Sequence, residues 1–335
     1  RPQTVTLAGP FAVAVSSSTL KSKAWPAKIS ERCKGNTVAA DAAEPSRRRN
    51  APKLTRASYN IWVMSKIHDT AGVDPGAILA DGVEIGAGCV VESGVTIGAG
   101  TVLRPHAVVR RGTTLGKDNF VDSFAVLGGD PQDLGFDRNS ETFVKIGDGN
   151  TFREGVTVSR ATKPGGATSI GNKTYWMATS HAGHDATVGD GVVIVNAVLL
   201  AGHAVVGDRA ILSGGTLVHQ FTWIGEMVMS QGKAGIGMHV PPFVMVAEVN
   251  QVIGLNLVGL RRNPAFSDED RRQIKQAFSL TYRSGLPRAK ALEEMDACKD
   301  WGPAAGRFRD FVRRVLGAQK PHNRGLCPRA LRESD

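Results

Sequence analysis

A branched aliphatic residue recurs at every sixth position from Ile67: Val73, Leu79, Ile85, Val91, Ile97, Leu103, Val109, Leu115, Val121 and Leu127 follow without a miss. A second run starts at Ile146 and passes through Phe152, Val158, Ile170, Trp176, Ala182, Val188, Ile194, Leu200, Val206, Leu212, Val218, Ile224 and Ile236, missing at Pro164 and Ser230. Glycine follows the repeated residue at Gly86, Gly98, Gly116, Gly147, Gly171, Gly189, Gly207 and Gly225. A period of six fits neither the 3.6-residue turn of a helix nor the two-residue alternation of a strand. It fits a parallel β-helix, a triangular solenoid in which each hexad is one short strand plus a corner and three hexads close a coil. The repeated residue then points inward, each strand bonds to the coils above and below at about 4.8 Å, and stability comes from nearest-neighbour coils.

Charge narrows the function. The chain of 335 residues carries a formal net charge of +10. Residues 1–63 hold 11 Lys/Arg against 3 Asp/Glu, a net of +8, which leaves +2 for the remainder. The repeat region is therefore nearly balanced, which argues against a nucleic-acid partner. Cys33, Cys89, Cys298 and Cys327 lie far apart and show no zinc spacing or disulfide framework, as suits a reducing compartment. No apolar run is long enough for a transmembrane segment.

Four stretches follow from these patterns. Residues 1–63 lack the beat, are acid-poor and contain Arg47, Arg48 and Arg49. They read as a disordered extension, with the working protein starting at Met64, or as a targeting segment such as a transit peptide. Residues 64–240 form the solenoid, interrupted by the polar insertion 128–145 and by a smaller excursion at 163–168 that must leave the stack as loops. Residues 241–319 form a helical domain: Pro241 and Pro242 end the ladder. Ser267 before Asp268, Glu269 and Asp270 then reads as a helix N-cap, with Ile274, Ala277, Phe278 and Tyr282 at helical spacing. Residues 320–335 read as a mobile basic tail.

Five of the eight histidines lie between His181 and His239. With no insertion between Ile170 and Ile224, residues eighteen apart should stack. His184, Gly202 and Gln220 then form one column, Asp185, His203 and Phe221 its neighbour, and Gly183, Ala201 and His219 a third, with His181 just before them. A neutral imidazole is a general base near physiological pH, and a carboxylate such as Asp185 would orient it. A glycine one coil away exposes a backbone N–H as an oxyanion donor. With no Ser or Cys nucleophile in the column, the pattern favours direct acyl transfer to a hydroxyl over a covalent intermediate. The alternatives are corner histidines satisfied by neighbouring backbone, a histidine-held metal like that of γ-class carbonic anhydrases, and a scaffold solenoid without an active site.

The segments SHAGHDATVG (Ser180–Gly189), LLAGHAVVG (Leu199–Gly207), GGTLVHQF (Gly214–Phe221) and YRSG (Tyr282–Gly285) resemble the acyl-[acyl-carrier-protein]–UDP-N-acetylglucosamine O-acyltransferases of lipid A biosynthesis, as does the QDL loop of Gln132, Asp133 and Leu134. The resemblance spans about Ser65 to Pro328. It implies a left-handed parallel β-helix with a C-terminal α-helical domain, a homotrimer with active sites between subunits, and no metal or organic cofactor. It also implies a 3-hydroxyacyl donor on acyl carrier protein, a UDP-N-acetylglucosamine acceptor and a cytoplasmic location, or an organelle stroma or matrix if residues 1–63 are a transit peptide. His184 would be the base, Asp185 its orienting partner and the Gly202 N–H the oxyanion donor. His181, His203, His219 and Gln220 would hold the sugar nucleotide and acyl chain. Gln132 and Asp133 would contact substrate from the loop, Asp133 at the sugar, and Asn256 and Arg262 would lie near the nucleotide and the carrier's phosphopantetheine arm. The chain departs from the family pattern at Gly135, Val258 and Asn263, and Val246–Asn256 is about two residues short; these positions bear on affinity and chain length. A sister activity on a 3-amino sugar fits the same site. Arg261, Arg262, Arg271 and Arg272 are the candidate surface for the acidic carrier.

Overall fold

The computed structural model describes residues 65–330, and every structural statement below concerns those residues; the expectations for 1–63 lie outside them. The six-residue beat becomes a succession of short parallel strands, most of two residues, from Lys66–Ile67 to Gly235–Ile236. Within this run each strand pairs with its counterparts three strands away, and together with two later strands, Val244–Ala247 and Gln251–Leu255, the run makes three sheets of 11, 9 and 8 strands. Eighteen-residue register holds where no loop intervenes: Ala182 pairs with Leu200, Leu200 with Val218, and Val218 with Ile236. The fold is a parallel β-helix.

From Ile85 to Leu127 every beat residue is no more than 2% exposed, and each such side chain contributes about 2 kcal/mol of burial. Ile67, on the first described coil, is 47% exposed because it has a neighbouring coil on one side only. A second inward column, two residues before the beat, is filled by small residues such as Val83, Cys89, Ala107, Ala125, Val156, Ala186, Val198 and Ala210, all fully buried. Strand alternation puts positions i and i+2 on one face, so the narrow prism takes one large and one small side chain per strand. Ser230, a miss in the beat, still points inward; its Oγ accepts the Ser213 N–H at 2.9 Å and bonds Thr216 Oγ1 at 2.8 Å. The glycine after the beat is dictated by close approach: a Cβ on Gly98 would lie 2.5 Å from the carbonyl carbon of Gly116 on the next coil.

The insertions leave the stack as loops. Val144 pairs with Thr113, 31 residues back and therefore 13 beyond one coil. Thr157 pairs with His181 across 24 residues, six beyond one coil. The longer loop is fastened by Arg160, whose guanidinium is buried. It donates to Asp130 Oδ1 (3.0 and 3.2 Å) and to the Ser140 carbonyl (3.1 Å), and lies 5.0 Å from the Phe136 ring.

The chain beyond Pro242 differs from expectation in two ways. Residues 244–255 are not helical. Val244–Ala247 pairs parallel with Met229–Ser230 and then antiparallel with Gln251–Leu255, extending the largest sheet past the diproline. Four helices follow: α1 (Leu257–Arg262), α2 (Asp268–Tyr282), α3 (Arg288–Ala297) and α4 (Pro303–Leu316). Ser267 caps α2 in a capping box with Asp270, and α2 packs its buried Ile274, Ala277, Phe278 and Tyr282 face against α3 and α4. The second difference is the tail. Residues 320–330 fold back onto the last coil rather than hanging free. Gly325 accepts from the His239 N–H and His239 from the Cys327 N–H, both at 2.8 Å, while Pro328 accepts from the Val252 N–H at 2.8 Å. Leu326 and Cys327 are buried, and burial pushes the Cys327 thiol up to about 12. Backbone pairing and apolar burial outweigh the local basic charge that suggested mobility. None of the described helices is long and apolar enough to cross a membrane.

Candidate active site

The site grows out of one corner of the prism. His181–Ala182 is a strand of the nine-stranded sheet and Thr187–Val188 a strand of the eight-stranded sheet, so Gly183 to Ala186 turn the corner between them. Asp185, His203 and Phe221 occupy the left-handed position of successive corners, with φ of 59°, 59° and 62°. The His203 N–H donates to the His184 carbonyl (2.9 Å) and the Phe221 N–H to the Gly202 carbonyl (3.1 Å). His184, Gly202 and Gln220 therefore lie one above another, as the eighteen-residue spacing requires.

The His184 ring lies over Gly202. A Cβ there would meet His184 Cε1 at 2.4 Å and Nε2 at 2.6 Å, so only glycine admits the imidazole. His184 Nδ1 donates to Asp185 Oδ2 at 2.9 Å, which leaves the Nε2 lone pair as the free face of the ring. Asp185 Oδ2 also accepts from Thr162 Oγ1 (2.8 Å) and the Thr162 N–H (3.1 Å), and the Asp185 N–H donates to Thr168 Oγ1 at 2.8 Å. Burial alone would raise the Asp185 carboxyl. The hydrogen bonds from His184 and Thr162 and the nearby His203 outweigh it and hold the group below the usual carboxylate range. Among the described residues the Gly202 N–H has no acceptor.

His184, Gly202 and Gln220 border a cleft of about 630 Å³ laid along the nine-stranded sheet. His181, His219 and Gln132 line it too, the last from the long insertion. His181 bonds Thr157 Oγ1 at 2.7 Å, and burial pushes its imidazole below the ordinary value. The wall is apolar: Leu199 and Leu217 are 44% and 53% exposed there, and Val249, at the far end, is 69% exposed.

Four expected substrate contacts stand elsewhere. His203 is outside the cleft, 3.6 Å from Asp185 Oδ2 and stacked on Phe221 with ring centroids 4.5 Å apart; burial lowers its basicity against the pull of Asp185. Asp133 is exposed in the loop and spends Oδ1 on the Gly135 N–H at 2.8 Å. Asn256 is buried: its Oδ1 caps α1 through the Gly259 N–H (2.9 Å) and its Nδ2 donates to the Met227 carbonyl (3.0 Å). Arg262 is exposed at the end of α1, away from the cleft. Of the basic surface, Arg271 and Arg272 are paired within α2 to Asp268 and Glu269, both at 2.5 Å.

Thr162, Thr168 and Thr157 carry contacts that sequence spacing did not reveal. They lie before or inside the 163–168 excursion, where eighteen-residue arithmetic fails.

The comparisons with known proteins agree with the fold. Residues 239–327 match the family model described as UDP-N-acetylglucosamine O-acyltransferase, domain 2, and residues 64–99 and 76–111 match bacterial transferase hexapeptide repeats. A Pseudomonas putida acyl-[acyl-carrier-protein]–UDP-N-acetylglucosamine O-acyltransferase is 44% identical over 251 residues, covering 74% of this chain and 96% of that protein. The chain belongs to this O-acyltransferase family. A Synechocystis relative of the same description is 44% identical over 181 residues, 54% of this chain and 65% of its own length. Among solved structures, the Moraxella catarrhalis UDP-N-acetylglucosamine O-acyltransferase superposes with a TM-score of 0.73 at 37% identity, covering 78% of this chain and 99% of that one. The Arabidopsis UDP-N-acetylglucosamine acyltransferase gives 0.67 at 30% identity, with the same two coverages.

Proposed function

We propose that His184 is the general base of an acyl transfer from acyl carrier protein to the 3-hydroxyl of UDP-N-acetylglucosamine, the reaction that opens lipid A synthesis. Membership of the O-acyltransferase family supports the reaction. One observation supports the base above all: the His184 proton is held on Nδ1 by a half-buried carboxylate braced twice by Thr162, which leaves Nε2 free at the cleft.

The steps follow from that arrangement. Nε2 takes the proton of the sugar hydroxyl as its oxygen attacks the thioester carbonyl. Asp185 stabilises the imidazolium that forms. The Gly202 N–H, beside the ring, donates to the developing oxyanion. When the tetrahedral intermediate collapses, the proton on Nε2 goes to the departing thiolate. His181, His219 and Gln220 sit where the sugar nucleotide would lie, and Leu199, Leu217 and Val249 offer the acyl chain an apolar wall.

The active assembly is a homotrimer in this reading. Leu134, at the tip of the long insertion, is fully exposed, and Asp133 does not reach its own chain's cleft. Both facts suit a loop that closes over a neighbouring subunit. Asp133 and Arg262 would then meet substrate across that boundary.

The test offers purified protein UDP-N-acetylglucosamine and carrier protein loaded with 3-hydroxyacyl chains of several lengths, with products read by mass. A 3-O-acyl product is expected. His184→Ala should remove a factor of about 10²–10⁴ from kcat, the usual worth of a general base. A variant that keeps more than a tenth of kcat rules His184 out, and an amide product would shift the acceptor to the 3-amino sugar.

A further inference from the structure

The corner that orients the base also holds the donor set of a zinc site. His184, Asp185 and His203 each offer one ligand atom, and the three atoms lie within 4.8 Å of one another. Two edges of that triangle are fixed: Asp185 Oδ2 is 2.9 Å from His184 Nδ1 and 3.6 Å from His203 Nε2. Ligands around tetrahedral zinc at about 2.0–2.1 Å stand roughly 3.4 Å apart. The longer edge already fits, and the shorter one opens by about half an ångström once a metal replaces the proton between its ends. The side chains are 15%, 15% and 29% exposed, enough for water to complete the shell. Two imidazoles with one carboxylate select a borderline metal such as Zn²⁺ over Mg²⁺ or Ca²⁺, which prefer oxygen.

We infer that this triad is an inhibitory Zn²⁺ site of the enzyme. The mechanism is a change of tautomer. Zinc takes the lone pair of His184 at Nδ1, so the ring proton moves from Nδ1 to Nε2 and no proton is released overall. Nε2 then presents an N–H to the cleft where the sugar hydroxyl needs an acceptor. The Thr162 hydrogen bonds to Asp185 are kept, because the metal occupies only the place of the His184 proton. The loss of turnover rests on His184 being the base; the metal site does not.

The experiment titrates the full chain, stripped of metal, with Zn²⁺ by equilibrium dialysis and with Co²⁺ by visible absorption. Wild type should take up one zinc per chain that His203→Phe and Asp185→Asn each weaken at least tenfold, with thermal melting showing that both variants fold. The cobalt form should give the intense visible bands of a four-coordinate ion. Zinc should lower wild-type turnover at least tenfold, with recovery on adding a chelator. Zinc bound equally by wild type and both variants, or six-coordinate cobalt, overturns the site and leaves the base reading standing. Ligand-dependent zinc with undiminished turnover overturns His184 as base and keeps the metal site.

Discussion

Two corners of the same prism carry polar columns at coil spacing, and only one of them is the proposed site. In the first, Asp148, Asn172, Asp190 and Asp208 climb from coil to coil. Asp148 Oδ1 accepts the Lys117 N–H (2.7 Å), Asn172 Oδ1 the Asp148 N–H (2.8 Å), Asp190 Oδ1 the Asn172 N–H (2.7 Å) and Asp208 Oδ1 the Asp190 N–H (3.0 Å). Each step spends a side-chain oxygen on the backbone of the preceding coil. In the second, His184 uses only Nδ1, and its other nitrogen and the Gly202 N–H stay unspent. A polar ladder is thus a structural device wherever its groups satisfy one another, and a reactive one where something is left over. The Asn256 side chain teaches the same lesson in reverse, since a residue expected at substrate has spent both its groups on a helix cap and a carbonyl.

Breaking each column should therefore move a different measurement. The largest effect is the loss of kcat in His184→Ala, about 10²–10⁴, with little change in melting temperature because the ring is not core. Gly202→Ala comes next: its Cβ would fall within 2.6 Å of His184 Nε2, displacing the ring. Steady-state rates should fall at least tenfold, with about 1–3 kcal/mol lost in denaturant unfolding. Unchanged kinetics would mean that the ring does not work from over Gly202. Thr162→Val removes one donor to Asp185 and should lower kcat about tenfold while sparing KM, an effect worth roughly 1.4 kcal/mol; Thr162→Ser should restore it. Asp190→Ala, in the structural column, should leave kcat alone and cost about 1 kcal/mol in chemical denaturation. A fall in kcat there would erase the distinction between the columns.

The smallest effect concerns the docked tail. His239 is buried, accepts the Trp223 N–H at Nδ1 (3.0 Å) and donates from Nε2 to the His322 carbonyl (2.6 Å). Burial lowers its folded pKa. The unfolded imidazole titrates near 6.5, so below that pH the unfolded chain binds a proton that the folded chain refuses. Stability is full above about pH 6.5 and declines as pH falls toward the folded pKa. Melting curves across pH 5–8 should show this decline in wild type and a shallower one in His239→Gln.

Much of this was legible from spacing. The beat identified the solenoid, and because no residue is inserted between Ile170 and Ile224, it stacked His184 on Gly202 and Gln220 correctly. Where residues are inserted, the arithmetic lost its reference. Thr162 sits beside Asp185 although 23 residues separate them, and nothing in the sequence states how an excursion folds back. The second inward column was hidden for another reason: it mixes Val and Cys with Ala, Thr, Ser and Asn, so no steady hydropathy signal marks it.

The sequence by itself determined the prism, the corner that carries the histidines and the vertical order within it, because a six-residue period admits a single side-chain direction per strand. Tertiary structure alone decided which polar groups remain unspent. It put Thr162 on Asp185, turned His203 away from the cleft, seated residues 320–330 on the final coil and closed Asn256 into a helix cap. Those outcomes depend on how loops and termini meet coils distant in the chain, and hydrogen bonds formed across such distances have no local pattern to announce them.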